Sequence, residues 1–364
     1  MTLDDLIALA AAGALPIPAE AFEALPPTSS SPIPAWDRVE GMLLGLAIGD
    51  SLGNTNEGKT PSVRRQKYGE VRDYLPHRYA SKRRVGLPSD DTQMAFWLVE
   101  QLVEDGTLDV QRLGDRFATR QIFGIGKTVT KFKAAWPTRK TWHGAGQRSA
   151  GNGALMRIAP VLLPHLSGPG PQLWADTIAA TAVTHNDAMA VASSVSFVAM
   201  LHDLLRAETT PEPETWLDAY IRLARPFEAN TNYACRGRAQ CSSPSWRAVD
   251  VDVRDALRGN AATVDACDRW HSGAYLLETV PTVMFLLARY GDDPEQAIIR
   301  AVNDTKDNDT IAAIVGAAVG ALHGKQALPA RWRDGLLGRL GRRDDGAVFD
   351  LLDRARAVFG APSQ

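Results

Sequence analysis

Two short acidic segments contain the residues of this chain best suited to chemistry. One is Ser89-Asp90-Asp91-Thr92, and the other, much later in the chain, is Asp307-Asn308-Asp309-Thr310. Each places two carboxylates beside hydroxyl groups, directly before an apolar run with helical spacing. A single acidic residue at a helix start is an ordinary N-cap. Two such clusters favour one shared metal site, because carboxylate and hydroxyl oxygens suit Mg²⁺ and Mn²⁺.

A glycine-rich turn is the second feature with chemical potential. Gly151 and Gly153 flank Asn152, and the segment leads into an apolar stretch that we predict to be a helix. Exposed backbone amides in such a turn suit a phosphate group, although a plain turn has the same pattern. His185 lies between two apolar segments, where the alternatives are a ligand-binding role and a helix cap or satisfied surface histidine.

Helices are predicted to position these residues. An apolar stripe with helical spacing runs from Val39 to Ala47 and leads to Asp50, and further helices are predicted at 276–290 and 294–303. The apolar helix after Asp309 carries small residues on one face, which lets a neighbouring helix approach closely. No segment shows sustained strand alternation. The predicted fold is therefore an all-α, single-domain bundle.

Three parts of the chain are predicted to differ in organisation. Residues 1–36 form an N-terminal extension, which is either an arm packed on its own domain or a docking arm for another protein. Residues 37–325 form the main domain, with an irregular insertion at 207–262. Residues 326–364 are Arg-rich and helical, and we predict an outer layer of the same domain.

Composition argues against several classes of partner. The chain of 364 residues has 40 basic and 42 acidic residues and a net charge of −2. This balance gives no reason to expect nucleic acid or a membrane as partner. Asp4 and Asp5 precede the first apolar run, where a signal peptide carries basic residues, so a cytoplasmic protein is expected. Cys235, Cys241 and Cys267 form no C-x-x-C pair, and free thiols are predicted.

Taken in chain order, these segments resemble the ADP-ribosylglycohydrolase family over about residues 38–325. The motifs that carry the resemblance are Gly45-x-x-x-Gly49-Asp50-x-x-Gly53 with Glu57, Ser89-Asp90-Asp91-Thr92, Ser149 to Arg157, Thr184-His185, Ser272-Gly273-x-Tyr275, and Asp307-x-Asp309-Thr310. The resemblance implies a compact orthogonal helical bundle with an N-terminal extension. It also implies an enzyme that hydrolyses the bond between ADP-ribose and a protein side chain, with arginine as the first choice of acceptor.

The resemblance further implies a centre of two Mg²⁺ or Mn²⁺ ions. Its ligands would be Ser89, Asp90, Asp91, Asp307, Asp309 and Thr310. Asp309 would bridge the two ions, and Glu57 would act as an acid/base linked to them. Asp91 and Asp307 would belong to the catalytic centre, and Asp50 would support the site from outside the ligand set.

The substrate implied by the resemblance is an ADP-ribosylated protein. The residues that would bind it are Ser149, Gly151, Asn152, Gly153, His185, Tyr275 and Phe123. The turn at 151–153 would hold the diphosphate together with Ser149, and His185 would hydrogen-bond a phosphate. Tyr275 would stack on the adenosine side, and Phe123 would border the same groove.

Departures from the family pattern leave three alternatives open. The family usually has Gly-Gly-Asp-Thr-Asp-Thr where this chain has Thr305-Lys306-Asp307-Asn308-Asp309-Thr310, and the cationic Lys306 would weaken metal binding or make an inactive relative. The extension at 1–36 suggests an immunity protein that neutralises a cognate ADP-ribosyltransferase toxin, with or without hydrolase activity. A metal-dependent phosphodiesterase is the third alternative, but such sites usually recruit several histidines, and the seven here are scattered.

Overall fold

The computed structural model describes residues 1–139, 141–236 and 242–360, and within these ranges the fold is helical. The α-helices are α1 (Leu3–Ala11), α2 (Trp36–Asn54), α3 (Pro61–Tyr68), α4 (Asp90–Asp105), α5 (Val110–Thr119), α6 (Lys127–Arg139), α7 (Trp142–Ala145), α8 (Pro171–Ala182), α9 (Ala188–Leu204), α10 (Pro213–Glu228), α11 (Ser245–Arg247), α12 (Arg254–Arg258), α13 (Thr263–Arg269), α14 (Leu276–Tyr290), α15 (Pro294–Asp304), α16 (Asn308–His323), α17 (Ala330–Gly335) and α18 (Ala347–Phe359). The predicted all-α class is confirmed.

The remaining regular elements are short. Strands β1 (Tyr233–Ala234) and β2 (Ser242–Ser243) form an antiparallel pair. The short 3₁₀ helices are Ala19–Ala24, Arg78–Ala80, Leu155–Arg157, Ala159–His165 and Lys325–Ala327, and a π-helical turn covers Ala248–Val253. Within the described residues, none of the helices has both the length and the apolar character that a membrane span requires.

Helices α2 and α16 pack against each other along their lengths and form the centre of the bundle. A Cβ atom at Gly45 would overlap the backbone of Gly316, and one at Gly53 would overlap the backbone of Asp309. The two helices are therefore antiparallel and in direct backbone contact. The predicted small-residue face of α16 is confirmed at Gly316 and Gly320. This contact brings the end of α2 against the start of α16.

Further helices enclose this central pair. Helices α9, α14 and α15 pack around α16, and α4 lies against both α2 and α16. The helix predicted at 276–290 is confirmed with these bounds, and α15 extends one residue beyond its prediction. Helix α18 covers α4, and Trp332 in α17 is fully buried. The C-terminal residues therefore contribute to the core as well as to the outer layer.

The N-terminal extension packs on its own domain. Leu6 and Leu15 are at most 1% exposed, and the ring of Phe22 lies 5.9 Å from that of Phe227. The Asn186 side chain donates a hydrogen bond to the Ala14 carbonyl at 2.9 Å. Leu6, Leu15 and Phe22 of the extension thus belong to the core of the domain, whereas Met1 and Ile33 are exposed.

Three predictions about local structure were wrong. The supposed irregular insertion contains α10, a regular 16-residue helix that packs on α9. The apolar stretch after Gly153 forms two 3₁₀ helices instead of an α-helix. Cys235 is disulfide-bonded and is not a free thiol. Cys267 is free and buried, as predicted, and the prediction for Cys241 lies outside the described residues.

Candidate functional site

The two acidic segments meet where α4 and α16 begin. One carboxylate oxygen from each of Asp50, Asp91 and Asp309 lies within 4.8 Å of the other two. Glu57, Asp307 and Asp309 form a second group of the same kind. Helix N-termini carry a partial positive charge that favours carboxylates, but two termini do not neutralise five such groups. We call these five residues the acidic cluster.

Asp50 organises this junction from near the end of α2. Its carboxylate accepts five hydrogen bonds from Ser89 and Thr92, including their hydroxyls at 2.6 and 2.5 Å and their backbone amides. A carboxylate has about four lone-pair positions, so little capacity remains for a metal ion. Asp50 therefore caps α4 from outside that helix and orients the groups around it.

Burial and mutual repulsion raise the pKa values of the acidic cluster and of Asp90 beside it. Burial is the largest cause for Asp90, Asp91 and Asp309, whose pKa values lie well above the ordinary range, and neighbouring carboxylates add to it. Burial raises the pKa of Asp307 to about 6, although a hydrogen bond from Asn152 opposes the rise. The ionised cluster thus lacks positive charge, which a divalent cation would supply.

The donor set fits such a cation. Asp91 Oδ1 is buried and has no hydrogen-bond partner of normal geometry, whereas Oδ2 lies 3.1 Å from the Ser89 hydroxyl. The Thr310 side chain also approaches Asp91, and this contact opposes part of the rise in the Asp91 pKa. Both carboxylate groups contain oxygen donors alone, with no cysteine or histidine among the described residues. Oxygen donors of this kind suit Mg²⁺ or Mn²⁺.

The loop between α5 and α6 forms a wall beside the acidic cluster. The Phe123 amide donates to Gln93 Oε1 at 2.9 Å, which ties the loop to α4. Gly124 has a φ of +67°, and a Cβ atom there would lie 3.0 Å from Asp90 Oδ1. Asp90 therefore faces this loop, in which Phe123 is half-buried.

Lys306 is directed away from the acidic cluster. Its Nζ lies 2.9 Å from His271 Nδ1 and 3.4 Å from Asp268 Oδ1. Its backbone amide donates to Ser272, which holds the loop before α16 in place. The expectation that the Lys306 charge opposes a metal at the cluster therefore finds no support in the geometry.

Asn152 connects the glycine turn to the acidic cluster. Its Nδ2 donates to Asp307 Oδ2 at 2.6 Å and to Thr279 Oγ1 at 3.0 Å. The sequence suggested a phosphate contact for this side chain, but its amide is already committed to a carboxylate. Asn152 therefore positions Asp307.

The backbone amides of the turn are partly engaged as well. The Gly151 amide donates to the Ser149 hydroxyl at 3.3 Å, and the Asn152 amide donates to the Ala274 carbonyl at 3.2 Å. Among the described hydrogen bonds, none uses the amide of Gly153. Of the predicted cradle of free amides, the Gly153 amide is the one left without a described partner, and the Ser149 hydroxyl also lies 2.8 Å from the Thr128 hydroxyl.

His185 lies against the turn as a neutral imidazole. Burial, and then the charge of Arg157, lower its pKa to about 3. Its Nδ1 lies 2.8 Å from the Thr184 hydroxyl, which accepts a hydrogen bond from Arg157 at 2.8 Å. A Cβ atom at Gly151 would lie 3.4 Å from His185 Nε2, and one at Gly153 would lie 3.3 Å from it. The two glycines therefore leave the Nε2 edge of the ring uncovered by side chains.

Several charged residues at the site were not predicted. Arg64 is fully buried, and its Nη1 donates to the carbonyls of Asn303 and Thr305 at 3.0 Å each. It therefore holds the loop before α16. Its position in a basic segment of the sequence gives no sign of this burial.

The ring of Tyr275 is covered by a cation. The Arg236 guanidinium lies 4.5 Å from the ring centroid, and its Nε lies 3.6 Å from Glu278 Oε1. The sequence suggested adenosine as the stacking partner of Tyr275, but a guanidinium occupies that place here. Neither Arg236 nor Glu278 was predicted, because nothing local marks either residue.

Comparison with known proteins identifies one family. The family model described as ADP-ribosylglycohydrolase matches residues 31–361. The chain is 28% identical to an ADP-ribosyl-[dinitrogen reductase] glycohydrolase of Rhodospirillum rubrum, over 89% of this chain and 97% of that protein. It is 27% identical to the ADP-ribosylarginine hydrolase Tri1 of Pseudomonas putida (strain GB-1), over 83% of this chain and 75% of that protein.

A solved structure shows the same fold. It is described as an ADP-ribosylglycohydrolase-related protein complex and is 26% identical in sequence, with a TM-score of 0.65. The similarity covers 89% of this chain and 97% of that one. Sequence and fold therefore agree on the same relationship.

Proposed function

The chain belongs to the ADP-ribosylglycohydrolase family, an enzyme class that hydrolyses ADP-ribosyl bonds, and we propose that its reaction is the metal-dependent release of ADP-ribose from arginine side chains of proteins. The observation that carries this proposal is the acidic cluster at the starts of α4 and α16. Asn152 of the glycine turn donates a hydrogen bond to Asp307 of this cluster, and the neutral His185 lies against the same turn.

The metal ions of this proposal are two Mg²⁺ or Mn²⁺. The residues that would hold them are Ser89, Asp90, Asp91, Asp307, Asp309 and Thr310. Asp309 belongs to the second carboxylate group as well as the first, which suits a position between the two ions. When bound, the ions would supply positive charge for orienting ribose hydroxyls and for acidifying water.

Asp307, Asp309 and Glu57 would act on the glycosidic bond. Cleavage of the bond between the anomeric carbon and nitrogen develops positive charge on the sugar, which the nearby carboxylates stabilise. Burial of the carboxyl group, and then the charge of Asp50, raise the pKa of Glu57, so this group can exchange protons closer to neutral pH. Water would add to the anomeric carbon as the carbon–nitrogen bond breaks and would lose a proton to Glu57, which would then pass a proton to the departing guanidine.

The diphosphate would lie at the turn. The Gly153 amide, the Ser149 hydroxyl and the Nε2 edge of His185 border the same space. The Thr184 hydroxyl would donate a hydrogen bond to Nδ1 of His185. The ring proton is then on Nε2, and this N–H would donate a hydrogen bond to a phosphate oxygen. Phe123 would border the same space. Tyr275 is not assigned to the nucleotide, because its ring face holds a guanidinium.

The direct test supplies the full chain with proteins carrying arginine-linked or serine-linked ADP-ribose, with Mg²⁺ or Mn²⁺, and measures released ADP-ribose. Release from the arginine linkage is expected, and Asp307→Asn and Asp309→Asn should abolish it. Asp292→Asn, an exposed acidic control, should retain it. No release from either linkage with metal present would refute the proposed function.

No observation on the described residues favours the immunity alternative. Leu6, Leu15 and Phe22 of the N-terminal extension are buried against the same chain. The phosphodiesterase alternative is also weakened, since the carboxylate groups contain no histidine among the described residues.

A further inference from the structure

Two residues at the start of α14 hold a guanidinium group. Tyr275 is the N-cap of this helix and Glu278 lies in its first turn. Arg236 stacks on the Tyr275 ring, 4.5 Å from its centroid, and approaches the Glu278 carboxylate to 3.6 Å. An aromatic face with a carboxylate at its edge is an arrangement that recognises a planar guanidinium.

Glu278 is a buried acceptor whose hydrogen-bonding capacity is largely unused. The residue is 2% exposed, and neither carboxylate oxygen has a hydrogen-bond partner of normal geometry among the described residues. The contact to Arg236 is longer than a hydrogen bond, and the Arg236 side chain is 59% exposed. A buried carboxylate without hydrogen bonds is costly, so a better-placed donor would be favoured here.

The charges around Glu278 also favour a cationic donor at its carboxylate. Burial raises its pKa, while the positive charges of Arg236 and Lys306 oppose the rise, and the Gly273 amide contributes a small effect in the same direction. The negative charge of Asp307 also acts on this carboxyl. The pair formed by Tyr275 and Glu278 therefore lies within electrostatic reach of the acidic cluster.

A hydrogen-bonded connection joins the two places. Thr279 follows Glu278 and accepts from Asn152 Nδ2 at 3.0 Å, and the same nitrogen donates to Asp307 at 2.6 Å. The start of α14 therefore lies next to the acidic cluster, within reach of a substrate cut there.

We propose that Tyr275 and Glu278 form the subsite for the guanidinium group of the acceptor arginine, and that Arg236 occupies this subsite in the absence of substrate. The inference rests on the proposed function and deepens it by naming the acceptor class and the residues that select it. An arginine-linked substrate displaces Arg236 and gives Glu278 the donors that it lacks. A serine acceptor has no group that fills this subsite.

Agmatine, a small guanidinium compound, is a suitable probe in calorimetric titrations of the metal-loaded full chain. Removing the internal competitor with Arg236→Ala should tighten agmatine binding about tenfold. Adding Glu278→Gln or Tyr275→Leu to that variant should reverse the gain, whereas adding Tyr275→Phe, which keeps the ring face, should preserve it. Butylamine, which lacks the guanidinium, should bind no variant tightly.

Arg225→Ala is the matched control. The Arg225 guanidinium stacks on a different ring, that of Trp246, at 5.0 Å from its centroid. This variant should leave agmatine affinity unchanged. The inference is overturned if Arg236→Ala does not tighten agmatine binding, or if both Glu278→Gln and Tyr275→Leu, shown by circular dichroism to be folded, keep the tighter affinity. If the protein releases ADP-ribose from arginine and also gives either of these results, the proposed function stands and the proposed subsite is wrong.

Glu278→Gln also has a kinetic readout. It should raise KM for an arginine-linked substrate by about tenfold and leave KM for any serine-linked substrate that turns over unchanged. An equal rise for both linkages would contradict a role in acceptor selection.

Discussion

Gly45 of α2 and Gly316 of α16 contact each other through their backbones. A Cβ atom on either residue would overlap the carbonyl group of the other. The contact sets the separation of the two helices, and thereby the place where Asp50 of α2 meets Asp309 of α16. Helix packing at these glycines is therefore a condition for assembling the acidic cluster.

Gly316→Ala is expected to lower the free energy of unfolding by about 3 kcal/mol, because the added methyl must push apart two tightly packed helices. Urea denaturation followed by circular dichroism measures the change. Gly126→Ala is the matched control, since a Cβ there meets no atom within 4 Å. Equal stabilities for the Gly316 variant and the parent would contradict the close contact.

The metal-free protein should lose stability as pH rises from about 5 to 8. Asp307 has a pKa of about 6 in the folded chain, above the value of 3.8 expected when unfolded. The folded state therefore binds more protons, and the stability this provides is lost as pH rises through about 6. The raised pKa values of Asp91 and Asp309 act in the same direction.

Mn²⁺ or Mg²⁺ should reverse this loss, because binding to the folded state adds stability. Differential scanning calorimetry at both pH values, with chelator and with metal, measures the effect. An Asp307→Asn, Asp309→Asn double variant should show a smaller pH dependence and no stabilisation by metal. A parent protein that gains no stability from either metal at pH 8 would be evidence against the metal site.

Lys306→Met should change metal affinity by less than about threefold, because the Lys306 ammonium interacts with Asp268 and His271. A solvated charge away from the cluster has only a weak effect on it. Calorimetric titration with Mn²⁺ measures the affinity, with Asp309→Asn as the variant expected to lose it. A tenfold tightening in Lys306→Met would show that the cation does oppose the metal.

His185→Ala should weaken ADP-ribose binding about tenfold through loss of one hydrogen bond to a phosphate. The pKa of His185 is about 3, so the imidazole is neutral from about pH 5 to 8 and this loss should be the same throughout. Fluorescence or calorimetric titrations across that range measure it, with His143→Ala as a control outside the turn. A loss that grows steadily toward pH 5 would indicate a charged imidazole instead.

The sequence alone predicted the elements that depend on local patterns. The starts of α4 and α16 follow from acidic and hydroxyl residues placed directly before apolar periodic runs, which is a property of neighbouring residues. The bounds of α14 follow from its periodicity in the same way. Carboxylates repeated at two helix starts also sufficed to predict that the segments share a site, because that much negative charge requires a common counter-ion.

The tertiary structure alone decided which partners these side chains have. Asn152 is bonded to Asp307, Lys306 to His271, and Arg236 lies on Tyr275, in each case across many residues of sequence. Such pairings depend on how close α2, α14 and α16 approach, and a residue's local pattern carries no information on that distance. For this reason the sequence sufficed to predict where the charge accumulates, and the packing of the helices determined which groups compensate it.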